Sequence, residues 1–259
     1  MLARLRTIQS RLLPHGWLDV LRQFLLFGLA YVAYRVVRGV VETQGTAAFQ
    51  HAREVIQIER TLHVFVEPSV QAWASGSHTV MAIASWLYVN AQFTVTVGAL
   101  IYIYVRQNRT FYHVRDTLLI AMAIALVGYA VFPTAPPRFL PEWGFVDSVT
   151  EMTGLTSHSS TLFSNFVNPY AAVPSMHIAF ALIIAWPLAR MTRRPLVRAL
   201  WWAYPLLIAF VIIATGNHFI LDALLGALTA VLSGYAARGL VRVRAAAWPL
   251  APAASGAAG

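Results

Sequence analysis

Val173-Pro174-Ser175-Met176-His177 and Gly216-Asn217-His218-Phe219-Ile220-Leu221-Asp222 are the stretches that decide the fold. Between them lie two apolar runs, from Pro174 to about Leu188 and from about Ala199 to Thr215. A loop holding Arg190, Arg193, Arg194 and Arg198 joins the runs. A helix that descends from Pro174 and a second that climbs back return the chain to its starting level. The hairpin therefore predicts that His218 arrives beside His177, although the two are remote in sequence. His218 and Asp222, four residues apart at the head of a third apolar run, share one helix face.

The rest of the chain fits membrane helices. Of its 259 residues, 58% are hydrophobic and 11% charged, whereas a soluble domain carries about 25% charged residues. Most of the surface must therefore meet lipid. There is no cysteine, which excludes disulfides and thiolate metal sites. All nineteen basic residues are arginine, and the formal charge is +9. The arginines sit in short clusters between apolar runs, a pattern that fits membrane orientation rather than a nucleic-acid footprint.

Three further apolar runs precede the hairpin: about Leu18–Val41, Thr79–Val105 and Thr117–Phe132. The first has no small-residue cleavage site behind it and reads as a retained span. A sixth run follows, about His218–Ala237. Ala48, Phe49, Ala52, Val55, Ile56 and Leu62 recur at helical spacing, with Glu54, Glu59 and Arg60 among them, and predict an amphipathic helix lying in the interface. Pro68 punctuates that segment. The expected fold is all-α: a polytopic bundle of six transmembrane helices with an interfacial helix after the first. One domain covers 1–244, and 245–259 is an Ala/Pro/Gly tail of disordered composition.

Thirteen arginines fall in the N-terminal segment, the loop of Arg106, Arg109 and Arg115, the loop of Arg190 to Arg198, and the run of Arg238, Arg242 and Arg244. The opposite loops hold Arg53, Arg60 and Arg138 together with seven acids. The positive-inside rule then puts both termini in the cytoplasm and the segments around Arg138, His177 and His218 at the outer face of the plasma membrane.

These residue types suit phosphoryl chemistry. Asp222 is placed to accept the Nδ1 proton of His218, fix its tautomer and make it more basic. Pro174 at a helix start leaves the next amides unused, and those donors with Ser175 form an anion site into which His177 points. Arg138, in Pro133-Thr134-Ala135-Pro136-Pro137-Arg138, offers a planar guanidinium for phosphate. Arg35 and Arg38, near the outer end of the first span, either reach lipid phosphate or help clamp substrate. Each residue alone also has a plain structural reading: a polar helix tie for His218–Asp222, a capped helix for His177, a headgroup anchor for Arg138.

The two histidine segments resemble the second and third signature motifs of the type 2 phosphatidic acid phosphatase (PAP2) superfamily. The Pro133–Arg138 stretch resembles its inositol phosphorylceramide synthase-like branch, and Glu59-Arg60-Thr61-Leu62 to Phe65-Val66-Glu67-Pro68 resembles actinobacterial members. The resemblance implies that His218 is the nucleophile, Asp222 its orienter and His177 the general acid. It implies phosphate binding by Ser175, the Met176 amide and Arg138, with Asn217 beside them. No metal or other cofactor is implied. The implied substrate is a lipid phosphate or pyrophosphate in the bilayer, and the acceptor is water or an alcohol such as inositol; nucleic acid is not an implied partner. The chain departs from the family at three positions. Met176 replaces a glycine, Ile212 a third-motif arginine, and Val131 the first-motif lysine, so Arg35 or Arg38 is the expected substitute cation. The rivals are a non-catalytic lipid-binding or transport protein and a metal-dependent membrane hydrolase.

Overall fold

The computed structural model describes residues 16–41, 45–154 and 170–247, with side chains described for 16–37, 45–154 and 170–240. Its helices are α1 (Gly16–Val41), α2 (Gly45–Thr61), α3 (Glu67–Ser75), α4 (His78–Arg106), α5 (Asn108–Val131), α6 (Ser148–Thr153), α7 (Met176–Met191), α8 (Pro195–Ala214) and α9 (Ile220–Ala247). Among the described residues there is no strand, and Thr134 and Ala171 form one isolated parallel bridge.

Among the described residues, five helices are long and apolar enough to cross a membrane: α1 over Gly16–Val37, α4, α5, α8, and α9 over Ile220–Leu240. The sixth apolar helix, α7, has 16 residues and reaches about 24 Å at 1.5 Å per residue, short of a ~30 Å hydrocarbon core. It compensates by position, because α4, α5, α8 and α9 all pack on it. Ala179, Ile183, Ile184 and Leu188 of α7 join Ile103, Phe111, Leu118 and Ala121 in one buried cluster. The outward residues of the long helices, such as Phe24, Leu29, Phe93, Val131 and Leu206, are exposed, as expected where lipid replaces the core.

The amphipathic stripe of α2 turns inward. Ala48, Ala52, Val55 and Ile56 pack against Ala135, Leu140, Phe145 and Phe219. Its apolar face thus covers the loops around the head of α9. Leu62, expected on the same stripe, lies past the helix end and is exposed. Pro68 falls in the first turn of α3, where its missing N–H costs nothing.

Three sequence boundaries need correction. The helix expected from Thr117 begins at Asn108, so Arg109 and Arg115 lie in α5 and not in a loop. Arg115 is buried and bonded to Asp116 at 2.6 Å, and that pairing lets a charged residue occupy a helix interior. Likewise Arg198 lies in α8, and Arg238, Arg242 and Arg244 lie in α9. Finally, α9 runs to Ala247, three residues into the expected tail. The rest of that tail and the N-terminal arginines Arg4, Arg6 and Arg11 lie outside the described residues.

Candidate active site

The return of the chain to His218 is a helix stop built from the main chain. At the end of α8, the Asn217 amide donates to Ile212 O at 3.0 Å and the Gly216 amide to Ile213 O at 2.9 Å. This paired pattern needs a left-handed residue just after the helix, and Gly216 has φ +65°. A Cβ at Gly216 would also come within 2.6 Å of Gln71 Nε2. The turn throws Asn217 and His218 back over the bundle end, and α9 starts two residues later.

His218 is buried. Its Nδ1 lies 3.1 Å from the Ala172 carbonyl and 3.3 Å from Asp222 Oδ2. Both neighbours are acceptors, so Nδ1 carries the proton and Nε2 keeps its lone pair. Asp222 also accepts the Phe219 amide at 2.9 Å, the backward half of a capping box at the head of α9. Burial first, then the charge of Arg138, holds the His218 ring below the ordinary imidazole pKa. A neutral ring is the form a nucleophile requires.

His177 opens α7. Its ring meets that of His218 edge to face at 5.4 Å between centroids and stacks on Tyr88 of α4 at 4.7 Å. Ser175 precedes it as the N-cap, with no side-chain cap bond to the first-turn amides. Ser175 Oγ is fully buried and has no hydrogen-bond partner. A hydroxyl in that state, beside open helix-start amides, fits a phosphate oxygen.

Main chain joins the two histidine segments. The Ser175 amide donates to the Asp222 carbonyl at 3.0 Å. A methyl group on Gly226 would strike the Ser175 carbonyl, and one on Gly128 would lie 2.9 Å from Pro174 Cδ. Tyr129 OH donates to the Pro174 carbonyl at 3.1 Å.

Arg138 arrives from the 3-10 turn Pro137–Phe139. Its amide donates to Gly216 O at 2.7 Å, its guanidinium to Asn217 Oδ1, and its Nε lies 3.9 Å from Asp147. The guanidinium also covers the Phe139 ring at 4.6 Å. Asn217, expected to touch phosphate, also accepts from Arg138 through its Oδ1. Arg138 is thereby fastened to the Gly216–Asn217 turn that carries His218. Arg35 is exposed on α1, and the side chain of Arg38 lies outside the described residues. Among the described residues, no group of three or more His, Asp or Glu side chains is arranged to hold a metal ion.

Sequence reasoning missed four partners: Tyr88 on His177, the Ala172 carbonyl on His218, and Glu59 and Glu67 at the head of α9. Glu59 Oε1 accepts the Leu221 amide at 2.7 Å and Glu67 Oε1 the Ile220 amide at 2.8 Å. For Glu59 a signal existed, because it continues the buried stripe of Ala48, Ala52, Val55 and Ile56. A model of the PAP2 superfamily matches residues 53–236, which include Glu59, Glu67, Arg138, both histidines and Asp222. The chain belongs to the PAP2 superfamily. No curated protein and no solved structure matches it significantly. Membership in the PAP2 superfamily carries phosphatase- or phosphotransferase-type chemistry in a membrane protein, and the five long apolar helices agree with an integral membrane protein.

Proposed function

We propose that this PAP2 protein is a lipid phosphate phosphatase or phosphotransferase working through a phosphohistidine at the outer face of the plasma membrane. The pair of adjacent imidazoles, His177 and His218 at 5.4 Å between centroids, carries the reading, because it sets a nucleophile and a proton donor side by side for one phosphoryl group. His218 Nε2 attacks phosphorus while the bond to the lipid oxygen breaks. His177, protonated beside the anionic phosphate, gives its proton to the departing alkoxide. The acceptor then loses a proton to His177 and its oxygen displaces Nε2, restoring both rings. Arg138, Ser175 Oγ and the Met176 amide hold the three phosphoryl oxygens, where charge develops. The lipid is a monophosphate or pyrophosphate, and no metal takes part.

The Pro133–Arg138 stretch favours the inositol phosphorylceramide synthase-like branch, and with it an alcohol acceptor such as inositol over water. Residues 59–68 favour an actinobacterial type. Six spans, counting α7, leave both termini cytoplasmic, and α2 with α3 caps the outer end at the interface. Arg35 or Arg38 supplies the further cation that Val131 and Ile212 do not; turnover of Arg35→Ala and Arg38→Ala tests this, and full activity in both removes the idea.

The deciding experiment incubates purified protein in detergent with a panel of lipid phosphates and pyrophosphates, with and without inositol. Released phosphate and new phosphodiester are both measured. His218→Ala lowers both products by about 10⁴-fold or more if His218 is the nucleophile. Activity that survives EDTA and yields to vanadate supports the mechanism; abolition by EDTA sinks it.

A further inference from the structure

The first-turn amides of α9, the helix that follows His218, are not left for substrate. Phe219 N–H is taken by Asp222, Ile220 N–H by Glu67 of α3 at 2.8 Å, and Leu221 N–H by Glu59 of α2 at 2.7 Å. Three elements thus send carboxyl groups to one helix head, where unbonded amides and the helix dipole favour them. Glu59 and Glu67 are both essentially fully buried. Each spends one oxygen on an amide and leaves Oε2 buried without a partner. The amides they bind are adjacent in the chain, so the two carboxyl groups lie side by side. Two buried anions at that separation repel, whereas one proton between the free oxygens satisfies both.

We propose that Glu59 and Glu67 are positioning residues for His218, a carboxyl pair that holds one proton between its free oxygens and clamps the head of α9. The inference rests on His218 acting as the proposed nucleophile. The clamp fixes Ile220 and Leu221, hence the place of Asp222 one residue on, hence the tautomer and aim of the imidazole. Asp222 faces the pair from α9 and is itself bonded to His218. Arg60, next to Glu59 in sequence, turns to the Trp143 ring at 5.5 Å. Burial and the neighbouring Glu67 raise the pKa of Glu59 above the usual carboxylate range. The clamp is intact while the proton is present and fails as pH rises through that raised value.

Glu59→Ala and Glu67→Ala are each expected to lower kcat about 10-fold or more with little change in KM, because an amide at the helix head is left unbonded. Glu59→Gln keeps an acceptor for Leu221 and a donor for Glu67. It is expected to recover most of that loss and to remove the part of the alkaline fall of kcat that the carboxyl pair contributes, leaving the part that follows His177. Glu59→Gln/Glu67→Gln has no proton to share and faces two amide groups at each other, so its rate returns to the alanine level. Equal alkaline limbs in wild type and Glu59→Gln, or a double variant as active as the single one, overturn the proposal. Infrared spectra give a readout that needs no turnover: the carbonyl band of a protonated carboxyl at neutral pH, lost in Glu59→Gln. If no lipid phosphate is turned over by wild type, the phosphotransfer reading fails, and absence of that band separately overturns the shared proton. If the double variant does not fold, Glu59→Gln and its alkaline limb decide.

Discussion

Two buried polar clusters stand at opposite ends of the bundle, and they are built differently. Far from the histidines, Asp19 of α1 accepts from Gln23 at 2.9 Å, from Tyr104 at 3.0 Å and from Tyr112 at 2.7 Å. Arg115 spans from Gln23 at 2.9 Å to Asp116 at 2.6 Å. None of these residues has a buried side-chain nitrogen or oxygen without a partner. About 26 Å along α5, from Tyr112 to Tyr129 at 1.5 Å per residue, lies the histidine cluster. There Ser175 Oγ and Asp222 Oδ1 are buried and unbonded, apart from the carboxyl pair of Glu59 and Glu67. Buried polar groups are ordinarily satisfied, so the closed cluster reads as a fastening of α1 to α4 and α5. The open one reads as a place completed by something that comes and goes.

The comparison is broken most forcefully at the closed end. Asp116→Ala leaves the Arg115 guanidinium buried without its carboxylate and should cost about 3–5 kcal/mol of stability. Thermal unfolding in detergent measures it, and the fraction that remains folded should keep its turnover number. A variant that unfolds normally but turns over poorly would move the chemistry to the wrong end of the molecule. At the open end, Arg138→Ala should cut turnover about 10²–10³-fold. Arg138→Lys should recover little of it, since a point charge cannot span Asn217 and phosphate.

A matched pair sharpens the contrast. Tyr112→Phe deletes one hydroxyl from the closed cluster and should cost about 1–3 kcal/mol of stability, with kcat unchanged. Ser175→Ala deletes one from the open cluster and should leave stability within ~0.5 kcal/mol while weakening phosphate binding about 10-fold. Equal behaviour of the two would dissolve the distinction. The smallest effect concerns pH. His218 has its pKa lowered by burial and then by Arg138, so its neutral form persists below the ordinary imidazole range. The acid limb of kcat/KM belonging to His218 should therefore lie below pH 6.5 and move upward in Arg138→Gln, where part of the depression is removed.

How much of this was legible in the sequence depends on which contacts make each feature. Lipid imposes long apolar runs, so α4 was readable to within a residue at each end. The start of α5 was not, because Arg109 and Arg115 look like loop residues until Gln23, far away in the chain, is seen to accept from Arg115. At the site, the spacing of His218 and Asp222 is local and visible, and so is the glycine that stops α8. Tyr88, the Ala172 carbonyl and Asp147 reach their partners only through the packing of α4 and the loops, and no local pattern announces them. Glu59 was visible in principle, as a carboxylate sitting where the helical period calls for an apolar side chain.

The hydrogen bond from Ser175 to Asp222 and the bare faces of Gly128 and Gly226 have an evolutionary consequence. The gap between the two imidazoles is gauged by peptide units pressed together, without spacer side chains. The lipid-facing belt can then drift while the spacing of the two rings keeps its calibration. Among neutral changes in this lineage, those glycines should be the last to be replaced.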